Sequence, residues 1–374
     1  MAVASVNETS SIVDIVSTEE PATASPSLYP YQARIGFSCC WIIVAILGVV
    51  GNSLVILSVI LSKKLRTVTN AFVVNLSVAD FWTSLSCPWQ AVALLSRGAW
   101  PLASEVPCKI AAMQLSTGYG TSLYSLAAIA FNRFILITQT TATYSRWYSP
   151  GKVSSIIAMT WVIPAVVSFL PPILGIGDLG YDAQDYSCLD KDGHPRAAEY
   201  NLAQSLGMYP IPLLIIVGSY LALYIHLKRH FRKRKRRLNQ YASPAQGDAA
   251  AVAESTVSFA IETESSRCPT TDIAKSNRRA ISRQQLAITR NLFMVFCVFV
   301  LLVSPFFLAI AVPSSRKFTL YGAAIAIFNS CVNPIIYTVN HPQFKGVLRS
   351  ILRCRYSQIP EPSDWLKSVL SWRK

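Results

Sequence analysis

The residues best placed to do chemistry in this chain are polar side chains set inside long apolar blocks. Asp80 lies midway along one such block, in Asn75-Leu76-Ser77-Val78-Ala79-Asp80. A carboxylate in hydrocarbon costs about 2.5–3.5 kcal/mol on insertion scales, so it calls for a partner or a purpose. Nothing else in its block can neutralise it. Other blocks carry oxygens at the same depth, on Asn52, Ser122, Asn329, Ser330 and Asn333. A carboxylate among hydroxyl and amide oxygens suits a hard cation. The expectation is a metal site at Asp80 holding a sodium ion, or a proton in its place; a polar network without an ion is the competing reading. Arg133 ends the third block, where its long stem can carry the charge to the interface. Its neighbour Asn132 is neutral and cannot pair with it. Tyr220 and Tyr337 fall near the same level, and a cation beside two phenols reads as part of a switch. Pro305 and Pro334 lie inside later blocks, where a missing N–H permits a hinge.

None of this is catalytic. There is no nucleophile with a base, no phosphate loop and no metal-ligand spacing. The four histidines, His194, His226, His230 and His341, fall in loops or at block edges. The expectation is a non-enzyme that requires no cofactor beyond the sodium ion.

The elements that must position these residues are apolar rods. The 374 residues are 52% hydrophobic and only 14% charged, against about 25% charged in a soluble domain. Seven apolar blocks run 35–62, 70–96, 108–139, 152–174, 201–227, 287–312 and 318–339. Each can cross roughly 30 Å of hydrocarbon as a helix. Only closed helices or closed barrels satisfy the backbone there, and blocks without alternation choose helices. The fold expected is an all-α membrane protein, a seven-transmembrane helix bundle with a short amphipathic eighth helix. The net charge is +15. With the N-terminus outside, only Arg34, Arg97, Lys109, Lys191, Arg196, Arg316 and Lys317 face outward. That asymmetry sets the N-terminus extracellular and the C-terminus cytoplasmic, in a multi-pass protein of the plasma membrane. Topology therefore explains the basic balance, with no nucleic-acid partner.

The organisation expected is an extracellular disordered tail over 1–34 and a seven-helix domain over 35–340. A membrane-surface helix over 341–354 and a cytoplasmic tail over 355–374 follow. Residues 1–30 lack the basic start and apolar core of a signal peptide. Asn7-Glu8-Thr9 is a glycosylation acceptor on the outer side; Asn75-Leu76-Ser77 matches too but lies within a membrane block. The third inner loop, 228–286, opens with a basic run from Lys228 to Arg237, suited to anionic lipid or a protein partner. It then becomes Ala/Ser/Thr-rich and largely disordered, with serines and threonines that kinases could use. Phe344, Val347, Leu348, Ile351 and Leu352 make one apolar stripe for a helix lying on inner-leaflet lipid. Cys354 behind it is a palmitoylation candidate. Of nine cysteines, Cys108 and Cys188 sit at the outer face, where an oxidising compartment lets them pair.

Together these residues resemble the rhodopsin-like (class A) G-protein-coupled receptors over about residues 35–355. The resemblance rests on Gly51-Asn52, on Leu76, Ala79 and Asp80, and on Trp100, Cys108 and Cys188. It continues through Arg133, Trp161, Pro212, Tyr220, Phe299 and Pro305, and ends on Asn333-Pro334-Ile335-Ile336-Tyr337. It implies signalling to a heterotrimeric G protein, with arrestin and receptor kinases as further partners. Asn132, Arg133, Tyr220, Phe299, Pro305, Pro334 and Tyr337 would form the switch. Within the family the chain looks nearest to melatonin receptors and related orphans. That rests on Lys63-Lys64-Leu65-Arg66, Asn132-Arg133, Tyr181-Asp182, Tyr186-Ser187-Cys188 and Phe328-Asn329-Ser330-Cys331. The asparagine and histidine that contact melatonin in that subgroup fall at Pro171 and Met208. The family's helix-six tryptophan falls at Val303, and the acid that can lock the switch arginine falls at Gln285. With Asn132 neutral as well, raised ligand-free signalling is expected.

By helix position the resemblance puts Leu115, Ser116, Tyr119, Gln204, Ser205, Met208, Phe306, Phe307, Ile310, Ala323 and Ile327 around an outer cavity. Leu115 stands where amine receptors carry an aspartate, and Ile327 where opsins carry a lysine. An apolar cavity with a few neutral polar groups suits a small neutral or lipid-like ligand. A transporter is the competing class, but neither internal repeats nor a pathway of intramembrane charges is present.

Overall fold

The computed structural model describes residues 29–191, 193–242, 269–311, 318–341 and 343–371. Asn7 and the middle of the 228–286 connection lie outside them, as do the side chains of Gln285, Phe307 and Ile310. The chain runs α1 (Tyr31–Leu61), α2 (Val68–Ser84), α3 (Cys87–Leu94), α4 (Val106–Thr138), α5 (Thr141–Trp147) and α6 (Pro150–Ile173). A hairpin of β1 (Leu179–Asp182) and β2 (Ser187–Asp190) follows. Then come α7 (Ala197–Met208), α8 (Pro210–Ala242), α9 (Pro269–Ala311), α10 (Thr319–Ala326), α11 (Asn329–Asn340), α12 (Phe344–Leu352) and α13 (Asp364–Ser371). The spans are α1, α2 with α3, α4, α6, α7 with α8, α9, and α10 with α11.

Among the described residues, six spans are long and apolar enough to cross a membrane by length and composition. The second falls short because it breaks at Leu85–Ser86, ahead of Pro88. A proline inside a helix removes one N–H and crowds the preceding turn. The Ser86 hydroxyl takes up a freed acceptor, donating to Thr83 O at 2.7 Å. The fifth span breaks in the same way before Pro210, whereas Pro305 and Pro334 stay inside continuous helices. The third span is the central post: 72% of its apolar stretch is buried, against 17% for the fourth.

Polar ties fix the register of these rods. Asn75 donates to Ser125 Oγ at 2.8 Å and Thr160 Oγ1 at 2.9 Å, and accepts from Trp161 Nε1 at 2.9 Å. One buried amide thus joins the second, third and fourth spans. Gly118 lets the second span touch the third, since a Cβ there would collide with Thr83. Glycine is the residue that permits such an approach.

At one end, Cys108 and Cys188 form the expected disulfide. It pins the hairpin, whose strands pair antiparallel with Tyr181 opposite Cys188. Gln90 clasps the Cys188 backbone in both directions, at 2.6 and 2.9 Å. Glu105 binds the Tyr181 N–H and the Lys191 ammonium at 2.8 Å each. Burial pushes the Glu105 carboxyl up, but the Lys191 and Tyr181 hydrogen bonds outweigh it and hold it below the usual carboxylate range. We call this the disulfide end and the opposite one the arginine end.

One expectation is corrected here. The first helix starts at Tyr31, so Arg34 belongs to the bundle and not to a tail. Its guanidinium is buried, donates to Leu94 O and Ser96 O at 3.2 and 2.9 Å, and lies 3.7 Å from the Tyr186 ring centroid. A cation is favoured there because the carbonyls at the end of α3 carry partial negative charge. The amphipathic helix spans Phe344–Leu352, and most of its stripe is covered by protein. Phe344, Val347, Leu348 and Ile351 are buried in the main core, and only Leu352 is exposed. The described part of the segment after Cys354 is ordered against the bundle. It folds back on the first connecting loop, where Lys63 N–H donates to Glu361 O and Ser363 N–H to Leu61 O, both at 2.8 Å. Ile359 and Leu366 join the core there.

Replacing Asn75 with leucine is expected to lower the thermal unfolding midpoint of the purified protein, by the equivalent of about 1–3 kcal/mol, because it strands the Trp161 N–H and removes the donor that joins Ser125 to Thr160. An unchanged midpoint would show that the Asn75 knot does not hold the spans.

Candidate functional site

Three groups of side chains lie along the axis of the bundle. At mid-depth Asp80 is 1% exposed. Its Oδ1 accepts from Ser122 Oγ at 2.9 Å and its Oδ2 from Asn333 Nδ2 at 2.7 Å. The carboxylate therefore ties the second, third and seventh spans. The structure divides the expected network. Asn52 does not reach Asp80; its amide donates to Gly48 O and Ser330 O at 2.9 and 2.8 Å, joining the first and seventh spans. No hydrogen bond links Asn329 or the Ser330 side chain to Asp80. Instead, buried polar atoms without a hydrogen-bond partner accumulate at this level: Asn52 Oδ1, Ser77 Oγ, Thr121 Oγ1 and Asn329 Nδ2. Such orphans are costly in a low-dielectric interior and fit an ion or water. Among the described residues no group of three His, Cys, Asp or Glu could hold a metal. Any cation at Asp80 must therefore rely on hydroxyl and amide oxygens.

At the arginine end, Arg133 is 2% exposed. It is not the unpartnered cation that the sequence suggested, for it engages protein neighbours, and the phenols of Tyr144 and Tyr220 lie within its electrostatic reach. Asn132 turns away from it. Its Oδ1 accepts from Thr69 Oγ1 at 2.6 Å and its Nδ2 donates to Tyr144 OH at 3.1 Å, linking the third span to the second and to α5. Tyr220 packs edge-on to Phe293, with centroids 4.9 Å apart. Phe299 sits in the main core. Tyr337 is fully buried, stacks on Phe344 at 5.8 Å and has a hydroxyl without a partner. His341, read from the sequence as an edge residue, is buried as well and accepts the Phe344 N–H at 3.4 Å. Sequence reasoning missed Asn291, whose amide donates to Asn340 O at 2.5 Å and ties the sixth span to the seventh. The signal for it was weak, an amide near the start of an apolar block beside Thr289 and Arg290.

At the disulfide end lies a cavity of about 120 Å³. Leu115, Ser116, Tyr119, Gln204, Ser205, Met208, Phe306 and Ala323 line it as expected. Ile327 does not line it; it is packed in a core cluster with Trp41 and Leu320. The hairpin adds Leu179, Ser187, Leu189 and Asp190, which helix positions could not reveal. Asp190 corrects the expectation of a lining without charge. Most of the remaining wall is apolar, and Ser116 is occupied with Ser168 at 2.8 Å.

The profile of the seven-transmembrane receptor (rhodopsin) family matches residues 51–337. A probable G-protein coupled receptor, No18, of Amphibalanus amphitrite is 30% identical over 341 residues, covering 83% of this chain and 88% of that protein. The rat melatonin receptor type 1B is 29% identical over 322 residues, covering 82% and 75%. The crystal structure of squid rhodopsin superposes with a TM-score of 0.68 at 18% identity, over 91% of each chain. The chain belongs to the rhodopsin family of seven-transmembrane, G-protein-coupled receptors. It is a multi-pass membrane protein of a receptor family, not of an enzyme family.

Removing the Asn291–Asn340 tie should free the arginine end of the sixth span. Asn291→Leu is expected to raise ligand-free G-protein activation several-fold in a nucleotide-exchange assay on membranes; unaltered exchange would mean that the tie does not restrain the span.

Proposed function

We propose that this receptor is activated at the disulfide end by a small, mainly apolar molecule, neutral or lipid-like, and passes the signal to a heterotrimeric G protein at the arginine end. The supporting observation is the cavity between the third, fifth, sixth and seventh spans, roofed by the hairpin, with apolar walls and few polar groups. Asp190 favours a ligand that presents one hydrogen-bond donor toward the hairpin. A melatonin-like ligand is the second reading, favoured by the rat relative. Pro171 and Met208 weigh against it.

The disulfide end faces the cell exterior and the arginine end the cytoplasm of a plasma-membrane receptor, by the asymmetry of Lys and Arg. Asn7 is then open to glycosylation. Cys354, exposed just beyond α12, is open to palmitoylation, and arrestin and receptor kinases meet the same inner face. Ligand shifts the population toward a state in which the sixth span swings out, hinging at Pro305, while Pro334 lets the seventh adjust. Arg133 and Tyr220 line the groove so opened. Asp80, Ser122 and the Asn52 and Thr121 oxygens would hold a sodium ion in the resting state, supplying positive charge to the carboxylate. Asn132 gives its amide to Thr69 and Tyr144 and is neutral where the family carries an acid; raised basal signalling is the outcome expected of that neutral side chain.

The test is a G-protein activation panel in cells, with and without a library of lipids and indoles. The wild type is expected to show a ligand-free signal that Asn132→Asp lowers and Arg133→Ala abolishes. Preserved coupling in Arg133→Ala would remove that residue from the mechanism. A silent wild type that Asn132→Asp leaves unaltered would refute raised basal activity. Repeating the assay on membranes with potassium in place of sodium should raise the basal signal of the wild type but not of Asp80→Asn.

A further inference from the structure

A second cavity, of about 480 Å³, lies on the flank of the bundle between the third, fourth and fifth spans near the arginine end. Its floor is Ala127, Ala128 and Phe131, and its sides include Met159, Ile163 and Ile215. Met159 and Ile215 are exposed on the outside of the bundle, so in a membrane the groove opens onto hydrocarbon. Small residues on the third span make the groove deep enough to enclose a chain. Trp147 at the end of α5 is shared with a second hollow of about 390 Å³, lined by Thr143, Arg146 and Lys152. The Lys152 ammonium is fixed on Arg146 O at 2.8 Å. Neither cation meets a carboxylate among the described residues, and the sequence holds no Asp or Glu between Glu105 and Asp178. An apolar slot thus ends at two uncompensated positive charges.

We propose that the groove and its basic mouth bind one anionic phospholipid of the surrounding leaflet, with an acyl chain in the groove and the phosphate at Arg146 and Lys152. Chain burial is driven by the apolar walls, and the mouth selects charge over a zwitterionic headgroup. The occupant would also brace the switch. Tyr148 of the groove stacks on Tyr144 at 5.0 Å, and Tyr144 accepts the hydrogen bond from Asn132. Phe131 meets Trp147 edge-on at 6.2 Å. The inference rests on the family's membrane placement and not on the nature of the extracellular ligand.

Native mass spectrometry of the full-length receptor, offered phosphatidylglycerol and phosphatidylcholine of identical chains, tests it. The wild type should retain one phosphatidylglycerol in preference to phosphatidylcholine. Arg146→Gln combined with Lys152→Gln should cut that preference about thirtyfold, as expected for two cations near a lipid surface. Ala128→Phe, which fills the floor, should lower retention of both lipids; if it fails to fold, Ile163→Trp at the side does the same task. The basic stretch from Lys228 to Arg237 is common to all variants and cannot produce these differences. An undiminished preference in the double variant, full retention in the groove-filled one, or displacement by oleic acid at equal concentration would each overturn the proposal.

Discussion

A polar group in hydrocarbon must find its partner inside the protein, and this requirement organises the whole bundle. Asp80 has no charge partner on its own helix. It is satisfied only when the third span brings Ser122 and the seventh brings Asn333. Asn75 makes the same demand on the third and fourth spans, and Asn52 on the seventh. Hydrophobicity cannot select a register in a bilayer, because lipid is as apolar as a leucine face. Hydrogen bonds between spans can.

The same ties give the bundle two ends that can communicate. The disulfide, the clasp of Gln90 on Cys188 and the buried Arg34 make the disulfide end stiff. At the arginine end the sixth and third spans are tied to their neighbours through single amide side chains. One amide of Asn291 holds the sixth span, and Asn132 is engaged with Thr69 and Tyr144. A recognition end pinned by a disulfide and a response end held by hydrogen bonds, joined by the central third span, is an arrangement in which a few kcal/mol of differential binding can shift the population.

Much of this was legible in the sequence, and the reasons differ by element. Long apolar blocks announced the spans because the backbone must satisfy itself in lipid. Asp80, Asn333 and Arg133 stood out because charge and amide groups are rare there. The Cys108–Cys188 pair followed from its compartment. What failed was whatever depends on the direction of a side chain. Asn52 and Asn329 sit at the right depth yet do not bond to Asp80, since depth does not fix azimuth around a helix. Ile327 shares a helical face with Ala323 yet is sealed in the core cluster with Trp41, Leu115 and Leu320. Asp190 was invisible because it enters from a hairpin, outside any helical numbering. The stripe of α12 was read correctly as apolar; most of it packs into the core, which the returning segment from Ile359 to Leu366 completes. A short segment with only two core residues carries too weak a pattern to be recognised beforehand.

The claim on which this account depends is that Asp80 and Asn333 form one interacting unit. A double-mutant cycle on purified receptor measures it, using the thermal unfolding of Asp80→Asn, of Asn333→Asp and of the two combined. The exchange rebuilds an amide–carboxylate pair across the same two spans. The account predicts that the combined variant recovers much of the stability that each single change removes, with a coupling of about 1 kcal/mol or more. Losses that simply add would show that the two side chains act independently, and the tie between the second and seventh spans would no longer explain the fold.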